Sequence, residues 1–196
     1  MMKRFFDILI SLVVIVVGLP FGLLIMLLIV ADSRGHAFYK QQRVGRGNVD
    51  FWLYKFRTMC KEADKGTLIT VGMNDTRITK IGAFLRRYKI DEFPQFLNIL
   101  KGDMSIVGPR PEVRKYVDMY TPEQLRVLSV RPGLTDYASI RYVNENELLA
   151  KSDNPEQTYI QEIMPDKLNL NLKYIDERSI GVDLKIMLQT LAAIVH

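Results

Sequence analysis

From Ile8 to Ala31 the chain carries no charged residue. A run of this length is enough to cross a bilayer, which takes about 20 apolar residues. Everything else must therefore fold beside a membrane-seeking segment. A secretion leader fits poorly: the apolar part is too long, and Asp32-Ser33-Arg34 is a poor cleavage site. A plain spanning helix is opposed by Gly18-Leu19-Pro20-Phe21-Gly22 in mid-run, because proline removes a helix bond and bends the backbone. Each half then has roughly a dozen residues, or about 16–18 Å of helix, against a hydrocarbon core about 30 Å thick. Lys3 and Arg4 before the run and Arg34 after it favour the cytoplasmic side for both ends. The sequence thus predicts a Pro-broken, re-entrant helix over residues 1–34 that dips into one leaflet, with a kinked spanning helix as the alternative. Residues 35–196 then form one domain on the cytoplasmic face.

With 196 residues the chain is long enough for one real core. The net charge of +5 suits a partner bearing phosphates, whether nucleotide, nucleic acid or anionic lipid. Cys60 is the single cysteine, so no internal disulfide can form, and it reads as a small buried filler. The two histidines, His36 and His196, argue against a zinc site and against a histidine-based triad.

Two aromatic-rich stretches, Ala37–Val44 and Val49–Met59, flank Gly45-Arg46-Gly47-Asn48 and predict a β-hairpin. On its second strand Lys55 and Arg57 share a face. Cys60–Gly66 reads as a charged helix end and Thr67–Thr76 as loop. Helices are expected over Thr79–Tyr88 and Phe93–Leu100, the latter stopped at Lys101-Gly102. Further helices are expected over Glu112–Ser129, Tyr159–Met164, Lys167–Ile175 and Ile180–Val195, with a break at Pro165. Asp136–Val143 reads as a short strand, and Asn144–Pro155 as a surface helix and loop. The fold class expected is α+β: a helix-rich single domain with a small β-hairpin behind the membrane helix.

The chemistry concentrates at Leu85–Gln95, where Arg86, Arg87 and Lys89 precede Asp91-Glu92. Ile90, Phe93, Phe96 and Leu97 hold these carboxylates near a core. Pro94 suits the first turn of a helix, so Asp91 is expected at its N-cap or just before it, where the helix end favours the ionised form. An ionised Asp is a usable nucleophile or metal ligand; a solvated helix end is the plainer reading. Gly108-Pro109-Arg110-Pro111 is a stiff loop presenting one guanidinium, suited to bidentate phosphate binding. Val130-Arg131-Pro132-Gly133 is a second rigid turn with a cation.

Five features stand in order: the Pro-broken apolar run, Tyr54-Lys55-Phe56-Arg57-Thr58-Met59, Asp91-Glu92, Lys101-Gly102-Asp103-Met104-Ser105 running into Gly108-Pro109-Arg110-Pro111, and Val130-Arg131-Pro132-Gly133-Leu134-Thr135. This set closely resembles the bacterial sugar transferases, in the minimal form of the monotopic phosphoglycosyl transferases, and covers nearly the whole chain. The resemblance implies transfer of a sugar-1-phosphate from a UDP-sugar to a polyprenol phosphate such as undecaprenyl phosphate, with release of UMP. That is the priming step of bacterial glycan assembly at the inner membrane. It implies Asp91 as nucleophile, with Glu92 helping to hold Mg2+ and both carboxylates as its ligands. Lys55, Arg57, Arg86, Arg87, Arg110 and Arg131 are then the cations for substrate phosphates. Nucleic acid drops out as a partner, and a homodimer is left open.

Three positions depart from the family pattern. Asp136-Tyr137-Ala138-Ser139 stands where many members have Gly-Trp-Ala-Gln, Asn171 where many have an acidic residue, and Leu19 where Ser commonly precedes the proline. The competing readings are a non-catalytic, membrane-anchored module that binds anions, and a phosphohydrolase or nucleotidyl transferase on the same substrates.

Overall fold

The structure, a computed structural model, describes residues 2–60 and 75–195. The first element, α1, runs from Met2 to Asp32 with Pro20 inside it. The predicted break at Pro20 is therefore not an interruption: the backbone stays helical on both sides. One missing N–H removes one bond, and long apolar helix on either side carries the turn through. Its 31 residues give about 46 Å of helix.

Both ends of α1 dock on the rest of the chain. Near the start, Arg4 donates to the carbonyls of Ile99 (2.6 Å) and Leu100 (3.0 Å). Asp7, nearly buried, accepts from the Ser105 hydroxyl (2.8 Å) and the Ile106 N–H (3.0 Å). Near the end, Ile29 packs with Phe56 and Leu85, and the Asp32 carboxylate accepts the Ile81 N–H. The outward face, including Leu12, Val16, Leu23 and Leu27, is exposed.

The hairpin forms as predicted. Strands β1 (Phe38–Val44) and β2 (Asp50–Phe56) pair antiparallel with Gln41 opposite Leu53. Their turn places Gly47 and Asn48 at positive φ, as Gly and Asn tolerate. Helix α2 (Lys80–Arg87) starts where expected because the Thr79 hydroxyl accepts the Gly82 N–H. Helix α3 (Gln95–Lys101) ends on Gly102 at φ 98. A pair of three-residue parallel strands, β3 (Ser105–Val107) and β4 (Gly133–Thr135), joins the two rigid turns. They meet so closely that a Cβ on Gly133 would lie 2.1 Å from the Gly108 nitrogen.

Other expectations are corrected. The helix expected over Glu112–Ser129 shrinks to α4 (Arg114–Val117) and a 3-10 turn at Gln124–Ser129. Thr121-Pro122 intervenes, and Thr121 trades side-chain bonds with Gln124 instead of continuing the helix. The strand expected from Asp136 lies three residues earlier. Asp136 instead caps helix α5 (Tyr137–Arg141), its Oδ1 accepting the Ser139 N–H at 2.6 Å. After α6 (Glu145–Ala150), the chain from α7 (Pro155–Thr158) through a π-turn (Tyr159–Ile163) to α8 (Met164–Glu177) is continuous helix. Pro165 does not break it, because the widened turn lies where the proline leaves a carbonyl without its N–H. Cys60 is exposed, not a filler. The remainder of the Cys60–Gly66 helix end and most of the Thr67–Thr76 loop lie outside the described residues.

Helix α9 (Ile180–Val195) buries Ile186 against Leu53, Ile99, Met104 and Tyr174. Its Asp183 accepts from Lys3 (2.5 Å) and from the Tyr174 hydroxyl (2.8 Å), tying the last helix to the first. Leu184, Leu188 and Leu191 are exposed. Helix α5 packs against α8 in the opposite direction: Tyr137 meets Tyr174 edge-on at 6.4 Å, and the Tyr142 hydroxyl donates to Asp166 at 2.7 Å.

Candidate active site

The chain leaves α2 through Lys89, whose backbone is left-handed (φ 56, ψ 18). This is uncommon for a residue with a Cβ and costs about 1–2 kcal/mol. It turns the chain into a 3-10 turn, Ile90–Glu92, that carries both carboxylates. Asp91 is thus inside a tight turn and is not the cap of α3, whose cap position is Pro94. Below the turn Phe93 stacks on Phe56 (6.2 Å) and lies against α1 at Gly18, where a Cβ would come within 2.4 Å of its ring. The acidic pair therefore stands on α1.

The two carboxylates are both nearly buried but differently held. Glu92 is saturated. Lys55 Nζ lies 3.0 Å from its Oε1, and Arg110 spans both oxygens, Nη2 donating to Oε1 and Nη1 to Oε2 at 3.3 Å. Burial works against the Glu92 charge, but Arg110 and Lys55 overcome it and hold the group well below the usual carboxylate range. The same contact raises Arg110 further. Among the described residues Asp91 has one ion-pair partner, Lys55 at 3.8 Å, and accepts no side-chain hydrogen bond, while the charges of Arg86 and Lys89 act on it from further away. Burial raises its affinity for a proton, Lys55 opposes this, and the neighbouring Glu92 charge adds to it.

Arg110 is aimed by its loop. Its N–H donates to Asp136 Oδ2 (3.0 Å), the same fully buried carboxylate that caps α5. Five of the six cations picked from the sequence border one cleft with the dyad: Lys55, Arg57, Arg86, Arg87 and Arg110. The cleft has a volume of about 1370 Å³. Among the described residues Lys55 and Arg110 lie within ion-pair distance of the carboxylates, and the Arg86 charge also acts on Asp91. Arg57 caps α1, donating to the carbonyls of Ser33 (2.6 Å) and Arg34 (2.8 Å) and to the Ser33 hydroxyl. Arg86 donates to the Thr58 hydroxyl at 2.8 Å. Arg87 lies over the Tyr88 ring. Arg131 is outside the cleft and caps α3, its Nε 2.8 Å from the Gly102 carbonyl.

Among the described residues no three His, Cys, Asp or Glu side chains cluster. The carboxylates expected to hold a metal are Asp91 and Glu92. Mg2+ is content with one or two carboxylates plus substrate phosphates, and the donor set is all hard oxygen. Asp91 is the carboxylate left open to such an ion, whereas Lys55 and Arg110 already occupy both oxygens of Glu92.

Asp136 was not expected in the site, and Lys89, one of the three cations ahead of the acidic pair, was not expected among the phosphate binders. Lys89 borders the cleft without an ion pair among the described residues; burial and Arg110 lower its proton affinity. A left-handed lysine has no sequence signature. Asp136 did have one, an Asp directly before a helix, hidden by the strand assignment.

The whole chain, residues 1–196, matches the family described as bacterial sugar transferase. It is 35% identical over 98% of its length to the UDP-N-acetylgalactosamine-undecaprenyl-phosphate N-acetylgalactosaminephosphotransferase of Aeromonas hydrophila, spanning 43% of that protein. It is 34% identical over 98% of its length to the UDP-glucose:undecaprenyl-phosphate glucose-1-phosphate transferase of Caulobacter vibrioides, spanning 69% of it. With the exopolysaccharide production protein PSS of Rhizobium leguminosarum the identity is 36%, over 98% of this chain and 94% of the relative.

Proposed function

The chain belongs to the bacterial sugar transferase family, and on that premise we propose that it moves a sugar-1-phosphate from a UDP-sugar to undecaprenyl phosphate, priming exopolysaccharide or capsule synthesis. The observation that carries the reading is the asymmetry of the acidic pair. Glu92 is locked by Lys55 and Arg110, while the Asp91 oxygens are open to the cleft. A saturated carboxylate is a poor nucleophile, and an open one beside two cations can approach an anionic diphosphate.

In the first half-reaction an Asp91 oxygen attacks the phosphorus that bears the sugar. The bond from that phosphorus to the bridging oxygen breaks, and UMP leaves. An oxygen of the lipid phosphate then attacks the same phosphorus, the bond to Asp91 breaks, and the carboxylate is regenerated. Neither step needs a general base, in keeping with the two histidines of the sequence. Bound Mg2+ would supply neutralising charge to the diphosphate oxygens. Lys55 and Arg110 orient Glu92 and bring positive charge to the reacting centre, and the Gly108–Pro111 turn keeps Arg110 in place.

In this reading α1 is a re-entrant anchor in one leaflet, with the cleft on the cytoplasmic face. Support comes from the docking of both its ends on one body, through Arg4 and Asp7 at the start and Ile29 and Asp32 at the finish. Cysteines placed at Met2 and Ser33 should both label only from the cytoplasmic side; labelling from opposite sides would favour a spanning helix. For the chemistry, incubation with donor alone should release UMP and leave a phosphosugar adduct on Asp91 by mass spectrometry. An active preparation whose adduct sits on another side chain would overturn the assignment.

A further inference from the structure

Buried polar groups in folded chains nearly always have partners, and each exception calls for an explanation. Ser139 Oγ and the Asn171 side-chain oxygen are both enclosed and without a hydrogen-bond partner among the described residues. Asn171 is only 5% exposed. Both residues line the cleft that holds the acidic pair.

Their placement is tied to the phosphate-handling side. Asp136 takes the Arg110 N–H on one oxygen at 3.0 Å and the Ser139 N–H on the other at 2.6 Å. Ser139 therefore sits one carboxylate away from the arginine that grips Glu92. Asn171 comes from the facing helix. On α5 Ser139 falls between Tyr137 and Tyr142, and on α8 Asn171 falls between Asp166 and Tyr174, the residues those two tyrosines meet. The antiparallel packing brings both groups to the same stretch of the cleft wall. Neither is charged, so the stretch suits neutral hydroxyl or amide groups and not a phosphate.

We infer that Ser139 and Asn171 form a neutral hydrogen-bonding subsite for the uncharged end of the nucleotide-sugar, beyond the phosphates that Arg110 and the acidic pair address. The inference rests on the proposed donor class and names residues that read the donor. Hydroxyl and amide groups occur at both the sugar and the uracil end, and the test separates them. A buried group without a protein partner costs the fold and favours a ligand that supplies the missing bond. Removing it should therefore move stability and affinity in opposite directions.

The test uses the full chain in lipid nanodiscs, with Ser139→Ala and Asn171→Leu. Calorimetric titration with UMP, UDP-N-acetylgalactosamine and UDP-glucose is paired with thermal melts. Each variant should bind a UDP-sugar about tenfold more weakly and melt no lower than the parent. If UMP binding is unchanged, the subsite reads the sugar; if UMP weakens equally, it reads the nucleoside. Unchanged affinity for all three ligands overturns the inference, as does a lowered melting temperature with loss of binding in Ser139→Ala, the milder change. A parent protein that binds none of the three ligands would instead overturn the functional reading, and the subsite with it.

Discussion

Two regions of this molecule use the same side chains to opposite ends. Along the seam between α1 and the body, cations and carboxylates meet backbone groups. Arg4 and Arg131 cover the end of α3, Arg57 covers the end of α1, and Asp7 receives both a hydroxyl and an N–H from β3. In the cleft the arrangement is uneven. Glu92 holds two cations while Asp91, a residue away, accepts no side-chain hydrogen bond among the described residues. A group whose partners are fixed by the fold belongs to the architecture. A group held near charge but left open is available to something that arrives. The contrast gives each side chain an expected phenotype.

The largest expected effect is at Asp91. Asp91→Asn should lower turnover by more than about 1000-fold, measured as UMP release. Its stability should move the other way. The folded carboxyl holds its proton more tightly than the unfolded one, so ionising it weakens the fold at neutral pH. Asn removes that penalty, and the variant should melt higher than the parent at pH 7. In the parent, turnover should fall as pH drops through the raised Asp91 value, giving an acid limb above the ordinary Asp range near about 3.9. A pH–rate profile with its limb at or below that range would contradict the assignment.

Next comes the seam. Asp7→Ala leaves the Ser105 hydroxyl and the Ile106 N–H buried without an acceptor, and should destabilise by about 2–3 kcal/mol, read by denaturant unfolding in nanodiscs. Arg57→Lys should cost about 1–2 kcal/mol, because one ammonium cannot span the carbonyls of Ser33 and Arg34. Its KM for the UDP-sugar should stay near the parent's; a large rise in KM with unchanged stability would show Arg57 acting on the substrate. The smallest effect is at Lys89. Lys89→Gly relieves the left-handed backbone and should raise stability by up to about 1 kcal/mol, with a moderate loss of donor affinity seen in the same unfolding and titration experiments.

The sequence was most legible where chemistry is local. Thr79 before α2, Gly102 after α3 and Gly47-Asn48 in the hairpin act within a turn of themselves. The acidic pair and Arg110 were legible for the same reason, being adjacent residues or a stiff loop. Arg57 and Arg131 were not, since their acceptors lie 24 and 29 residues away. A cation looks alike in sequence whether a carbonyl or a phosphate awaits it. Strand and helix were exchanged around Asp136 because a short apolar run suits either, and only β3 decides which part pairs.

The bridge from Lys3 to Asp183 has a consequence for how the protein is made. Its two ends are 180 residues apart, so at about 5–20 residues per second the ribosome needs roughly 10–40 s to deliver the second after the first. For most of that interval α1 exists without the Asp183 carboxylate that its Lys3 will meet. The clasp between the two helices therefore closes late, after all of the chain that lies between them has been made.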